Sequence, residues 1–167
     1  TIREDRIHPQ KDDKILTDWN GLMIAAMARA GAILNNEEYG NSAIKAMDFI
    51  MQNLYNEDGS LLKRYRNGNA GLTGVLDDYA FTIWGLIELY QMNYDEKYIE
   101  IAMNLSEYQI DQFWDFDNHG FFFTATSGEQ LLVRSKEVYD GAIPSGNSVS
   151  AYNFIRLARM TSRPDFE

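Results

Sequence analysis

The sequence predicts an all-α fold: part of an (α/α)₆ toroid, about five helices paired as antiparallel hairpins, with two short β-hairpins in the long connections. Three observations lead there. Helical stretches that are apolar on nearly every side alternate with amphipathic ones, as inner and outer helices of a layered fold would. Each apolar stretch reaches its amphipathic successor through a tight turn, whereas each amphipathic stretch is followed by a long connection. The unit recurs at roughly sixty to seventy residues, and units that cannot bury their own faces must stack on one another. Five helices fall short of a closed ring, so the chain is expected to form an arc.

The stretch Val75 to Tyr90, VLDDYAFTIWGLIELY, is the centre of this pattern. Asp77 or Asp78 can cap its first turn, and only Thr82 and Glu88 interrupt the apolar residues beyond Tyr79. A helix greasy all round needs protein on all sides.

In chain order, residues 1–14 read as a polar arm, with Pro9 keeping them from being helical throughout. A cap at Thr17-Asp18 precedes a helix to about Leu34. Trp19, Leu22, Met23, Ala26, Met27, Ala30, Ile33 and Leu34 hold one stripe, and small residues fill the other side. Asn35-Asn36 turns into an amphipathic helix over about Glu37 to Tyr55. Asp58-Gly59 and Asn67-Gly68 then bracket a β-hairpin around Leu61 to Arg66. After the central helix, Asn93-Tyr94-Asp95 turns into an amphipathic helix over about Glu96 to Trp114. A second hairpin is expected from Phe121-Phe122-Phe123-Thr124 and Leu131-Leu132-Val133-Arg134, and a fifth helix runs from about Gly146 to Met160.

Composition sets the outer limits. At 167 residues the chain suits one domain, 1–167, and its 45% hydrophobic content supports a folded core. A formal charge of −10 argues against nucleic acid or an anionic membrane as a general partner. No run of about eighteen apolar residues exists to span a bilayer. No signal-peptide pattern opens the chain, so a cytoplasmic location is expected. With no cysteine and only His8 and His119, no metal motif is visible, and neither metal nor cofactor is expected.

If the inner helices run parallel, all begin at the end where the long connections arrive, and function belongs on that rim. The rim carries Asp18-Trp19-Asn20, Asp77-Asp78-Tyr79, and Asp140 with Pro144-Ser145-Gly146-Asn147-Ser148. The connections add Arg64 and Lys136. Carboxylates, amides and aromatics around a concave mouth suit sugar chemistry, in which rings stack on aromatic faces and two carboxyl groups act as acid and base. The candidate catalytic groups are therefore Asp78, Asp77 and Asp140. Candidate substrate contacts are Asp18, Trp19, Asn20, Arg64, Tyr79, Lys136, Ser145 and Asn147. Were Asp78 and Asp140 to pair, about 5.5 Å between them would favour retention and about 6.5–9.5 Å inversion. Capping is the ordinary use of Asp18, Asp77 and Ser145, and Trp19 and Trp84 at helical spacing are ordinary core residues.

Three motifs carry a resemblance to a known family: DDKILTDWNGLMIAAMARAG from Asp12 to Gly31, LDDYAF from Leu76 to Phe81, and DGAIPSGNSVSAYNFIRLAR from Asp140 to Arg159. Together they resemble the spermatogenesis-associated-protein-20-like family, over nearly the whole chain from Asp12 onward. The resemblance implies a segment of a six-hairpin glycosidase-type toroid within a longer protein that begins with a thioredoxin-like domain. It also implies that the rest of the toroid and that domain are partners in the full-length protein. Toroids of this type are similar to glycosidases and N-acylglucosamine 2-epimerases. Relatives in the epimerase group use histidines as acid and base, and this rim offers none.

A carbohydrate-active domain, hydrolase or isomerase, is one functional expectation. The alternatives are a saccharide-binding module without turnover and a scaffold or interaction domain. Exposed flanks of the end helices would give self-association.

Overall fold

The computed structural model describes residues 2, 4–8 and 11–166. The expected arm over 1–14 thus falls partly outside the described residues, and Pro9 lies outside them. Among the described residues the order is β1 (Ile15–Leu16), α1 (Thr17–Leu34), α2 (Glu37–Asn53), β2 (Leu62–Arg66), β3 (Asn69–Thr73), α3 (Leu76–Asn93), α4 (Lys97–Phe113) and α5 (Gly146–Thr161). A 3₁₀ turn follows at Pro164–Phe166. No helix among them is long and apolar enough to cross a membrane.

Helix α3 is central because it is apolar all round. From Asp78 to Leu89 every residue but Trp84 is buried, and α1, α2, α4 and α5 all pack on it. The amphipathic helices α2 and α4 lie outside, with Met47, Ile50, Leu105 and Phe113 turned into the core.

The three remaining helices run in the same direction. Asp18 meets Asp78 in the first turns of α1 and α3, and further along Ile24 lies against Gly85. Gly146 of α5 lies against Asp77, Asn153 donates to the Ala80 carbonyl, and Arg156 reaches Glu88 and Gln91. Contacts that advance together along each pair of helices mean parallel axes, so the starts of α1, α3 and α5 gather at one end.

Helix α1 departs from expectation. Its small-residue side, Gly21, Ile24, Ala25, Ala28 and Gly31, is the buried one, while Trp19, Met23, Ile33 and Leu34 are exposed. Close approach explains this. A Cβ on Gly21 would stand 2.6 Å from the Phe81 carbonyl carbon, so only a glycine lets the two backbones meet there. Nor does Thr17 cap α1: it is the first helical residue, and its hydroxyl donates to the Leu62 carbonyl at 2.5 Å.

The tight turns follow the expected chemistry. Asn36 caps α2 by accepting the Glu38 and Tyr39 N–H groups, and Asn35 and Tyr94 close α1 and α3 in the left-handed conformation. The first hairpin forms on Asn67-Gly68, both at positive φ as a two-residue reverse turn requires. Strand β1 adds to it through Ile15 opposite Tyr65, making a three-stranded antiparallel sheet that the sequence pattern did not suggest.

The second hairpin is a correction. Residues 121–134 contain no strand, only a single bridge between Trp114 and Phe121. Side-chain fastening replaces the ladder. Arg134 donates to the Thr124 and Gln112 carbonyls and lies over the Phe122 ring, while Leu131, Leu132 and Val133 face solvent.

Candidate functional site

The starts of α1 and α3 share a knot of charge. Asp78 is wholly buried. Its Oδ1 accepts the Asp18 N–H at 3.0 Å, and its Oδ2 accepts the Val75 N–H at 2.7 Å. Lys63 of β2 reaches from the sheet to Asp18 Oδ2 at 3.1 Å and Asp78 Oδ2 at 3.5 Å. Burial pushes the Asp78 carboxyl up to about 7, against the pull of Lys63 and the Val75 N–H. Burial also opposes the charge on Lys63, but the two carboxylates outweigh it and raise its pKa.

Asp77 stands beside this knot on another face of α3. Positions Asp77, Phe81, Trp84, Glu88 and Gln91 recur at helical spacing and form one stripe. The Asp77 side chain is half-buried, with Oδ1 tucked against Gly146 at the start of α5. Burial first, then the negative charge of Asp18, pushes its carboxyl up to about 6. Asp77 thus sits where three helix starts meet, its carboxyl raised well above the ordinary carboxylate range.

The other expected residues divide into two groups. Trp19, 63% exposed, stands free in the first turn of α1, and Arg64 on β2 has no ion pair among the described residues. Asn20 is half-buried, with its amide donating to the Leu16 carbonyl.

Several expected ligand groups are instead committed to the fold. The Tyr79 ring is fully buried between α3 and α4, stacked on Tyr108, and its hydroxyl accepts the Leu61 N–H at 2.8 Å. No saccharide reaches it. Asp140 accepts the Ser145 N–H and the Ser148 hydroxyl, and Ser145 accepts the Ser148 N–H as the cap of α5. Those bonds hold the Asp140 carboxyl below its ordinary value. Asp140 is exposed in the connection before α5, whereas Asp78 is wholly buried where α1 and α3 begin. The Asn147 amide is spent on the N–H and carbonyl of Phe121 and on the Glu137 carbonyl. Lys136 pairs with Asp115 at 2.6 Å and donates to the His119 carbonyl.

Sequence reasoning overlooked a second polar group on the α3 stripe. Glu88 Oε1 accepts the Trp84 indole N–H at 3.1 Å and lies 2.8 Å from Arg156 Nη1 of α5. The signal was there in Glu88, a lone acid deep in an apolar helix. A hollow of about 550 Å³ opens away from all these carboxylates, between α4 and α5, lined by Trp114, Phe116, Phe121, Phe154 and Phe166. Among the described residues no three acidic or histidine side chains are placed to hold a metal.

No family model matches the chain. Spermatogenesis-associated protein 20 of Rattus norvegicus is 36% identical over 174 residues, covering 98% of this chain. This chain belongs to the spermatogenesis-associated protein 20 family. It spans 22% of the length of that relative. Among solved structures, cellobiose 2-epimerase from Bacillus thermoamylovorans superposes with a TM-score of 0.76 at 15% identity, over 95% of this chain and 43% of that one. An inactive α-1,6-mannanase variant of Salegentibacter sp., with two consecutive aspartates replaced by asparagine and α-1,6-mannotriose bound, superposes at 0.72 and 13% identity. It is matched over 99% of this chain and 46% of that one. These likenesses establish the fold of this family's segment as part of an α/α toroid.

Proposed function

We propose that the chain is part of a carbohydrate-active toroid, with its site at the shared end of α1, α3 and α5 and Asp77 as the acid–base group that touches substrate. The observation that carries this reading is Asp77 itself: half-buried, beside three helix starts, and raised to about 6 by burial and by Asp18. A carboxylic acid near its midpoint at working pH can give a proton to a leaving oxygen and take one back. Asp18 supplies the neighbouring negative charge that hydrolysis with two carboxyl groups uses. Asp78 positions rather than reacts, since its oxygens are taken by two backbone N–H groups and Lys63. Trp19, exposed, and Arg64, half-buried on β2, are the groups that would meet the sugar, with Asn20 behind them.

Two further points support the reading. The structural neighbours are carbohydrate-active enzymes, and the inactive mannanase variant lost two consecutive aspartates, the arrangement of Asp77-Asp78 here. We place the protein in the cytoplasm, with the rest of the toroid and a thioredoxin-like domain as its partners. The test is product formation from a panel of manno- and gluco-oligosaccharides. Turnover abolished by Asp77→Asn supports the proposal, and turnover that survives the substitution removes it.

A scaffold role has one observation in its favour. Leu132, Val133, Val138 and Tyr139 expose apolar side chains in the connection before α5. That role would be favoured if no saccharide bound and a partner protein ceased to bind once Leu132 and Val133 were changed to serine.

A further inference from the structure

We propose that the inner wall of the arc holds a second saccharide subsite, for a neutral pyranose unit, built from Trp84, Glu88 and Gln91 of α3 and Tyr152 of α5. The inference rests on the carbohydrate reading above and extends it from one reacting unit to an oligosaccharide.

The stripe that begins with Asp77 at the rim continues inward through Trp84, Glu88 and Gln91. Trp84 stands seven positions beyond Asp77, about 10 Å along the axis, which is farther than one pyranose ring extends. Beside it, Tyr152 is 48% exposed and meets the Trp84 ring edge to face, with centroids 6.2 Å apart. Two rings at right angles on an open wall form a corner against which a sugar can stack.

Polar groups line the same corner. Glu88 is only 4% exposed, and its Oε1 takes both the Trp84 N–H and the Arg156 contact; no hydrogen bond reaches Oε2 among the described residues. Arg156 Nη1 approaches Oε1 off the N–H direction, so this is an ionic contact more than a directed bond. Arg156 also donates to Gln91 Oε1 at 2.8 Å, and the Gln91 amide nitrogen meets no acceptor among the described residues. An open acceptor on Glu88 and an open donor on Gln91, one helical turn apart, suit two hydroxyls of one ring. Arg156 neutralises Glu88, so the corner presents no net charge, and an uncharged pyranose fits it better than a uronate.

The competing role for these residues is purely structural, an ion pair that pins α5 to α3. The two roles separate in a fluorescence titration of the protein with α-1,6-mannotriose, cellotriose, mannose, glucose and trigalacturonate, with Trp84→Phe identifying the signal. A subsite gives a Trp84 response to a neutral trisaccharide, about tenfold weaker for the monosaccharides and for trigalacturonate. Tyr152→Ala then weakens trisaccharide binding about tenfold, and Tyr152→Phe, which keeps the ring beside Trp84 and under Arg156, restores it. A silent Trp84 with every neutral saccharide, or trisaccharide binding indifferent to Tyr152→Ala, overturns the inference. Asp77→Asn keeps this reading apart from that of the rim. Product formation abolished in Asp77→Asn with Trp84 silent leaves the rim standing and the subsite refuted. A Trp84 response without turnover keeps the subsite and refutes the rim chemistry.

Discussion

The backbone N–H of Asp18 donates to Asp78 Oδ1 at 3.0 Å, so the first turn of α1 hangs from a carboxylate in the first turn of α3. The other oxygen of that carboxylate accepts the Val75 N–H and faces Lys63, which returns to Asp18. One buried side chain thereby fixes the spacing of two helix starts and one strand.

Removing it leaves two N–H groups without their acceptor in a dry place and Lys63 with Asp18 alone. Asp78→Ala is expected to lower stability by about 2–4 kcal/mol, and Asp78→Asn by less because one acceptor remains. Equilibrium urea unfolding measures both.

Asp77 is expected to act in the opposite sense. Its folded pKa of about 6 lies above the ordinary 3.8, so the folded state holds a proton that the unfolded chain has released. That contribution is complete below about pH 4 and is lost as pH rises through 6. Allowing for solvent at a half-buried group, the loss is about 1–2 kcal/mol. Asp77→Asn should stabilise the protein by about that much at pH 7 and flatten this part of the profile, as read from urea midpoints at pH 4.5 and 7.5.

Gly21→Ala tests the close approach of α1 and α3. The added carbon would stand within 2.8 Å of the Phe81 carbonyl and the Thr82 nitrogen, backbone atoms that cannot step aside. A loss of about 2–3 kcal/mol is expected, whereas an ordinary solvent-facing helical glycine changed to alanine gains about 0.5–1 kcal/mol.

Asn147 fastens the connection before α5 to the turn at Phe121. With Asn147→Ala the N–H of Phe121 and the carbonyls of Phe121 and Glu137 lose their partner. Stability should fall by about 1–3 kcal/mol. Hydrogen exchange should quicken across residues 121–137 while α1 and α3 stay protected.

Much of the fold could be read from the chain because helical periodicity is a strong local signal. Apolar residues all round Leu76–Asn93, one wet face on Glu37–Asn53, and Asn-Gly at the hairpin each state their environment within a few residues. The second hairpin failed for the same reason in reverse. Phe121 to Arg134 has strand-like composition, but Arg134 and Asn147 satisfy its backbone from a distance, and that is invisible locally. Helix α1 reads as enclosed because apolar residues surround it, yet its large residues Trp19, Met23, Ile33 and Leu34 stay exposed. Here Gly21, Ala25 and Ala28 win by letting the backbones close up.

The site was legible in outline only. Parallel inner helices placed Asp18, Asp77 and Asp78 at one end, and they do meet there. Their roles depend on which way each points: Asp78 and Tyr79 turn into the protein, while Asp77 keeps an open side. Asp140, Ser145, Asn147 and Lys136 are polar groups at loop ends, and such groups are recruited by the nearest orphaned backbone before any ligand arrives.

The central claim is that Asp77 is a protonatable carboxylic acid at the joint mouth of three parallel helices, and carbon-detected NMR titration of its side-chain carboxyl tests it most directly. A midpoint near pH 6 is expected. A midpoint near the ordinary 3.8 would mean a solvated surface aspartate, and would contradict the assignment of acid–base chemistry to this rim.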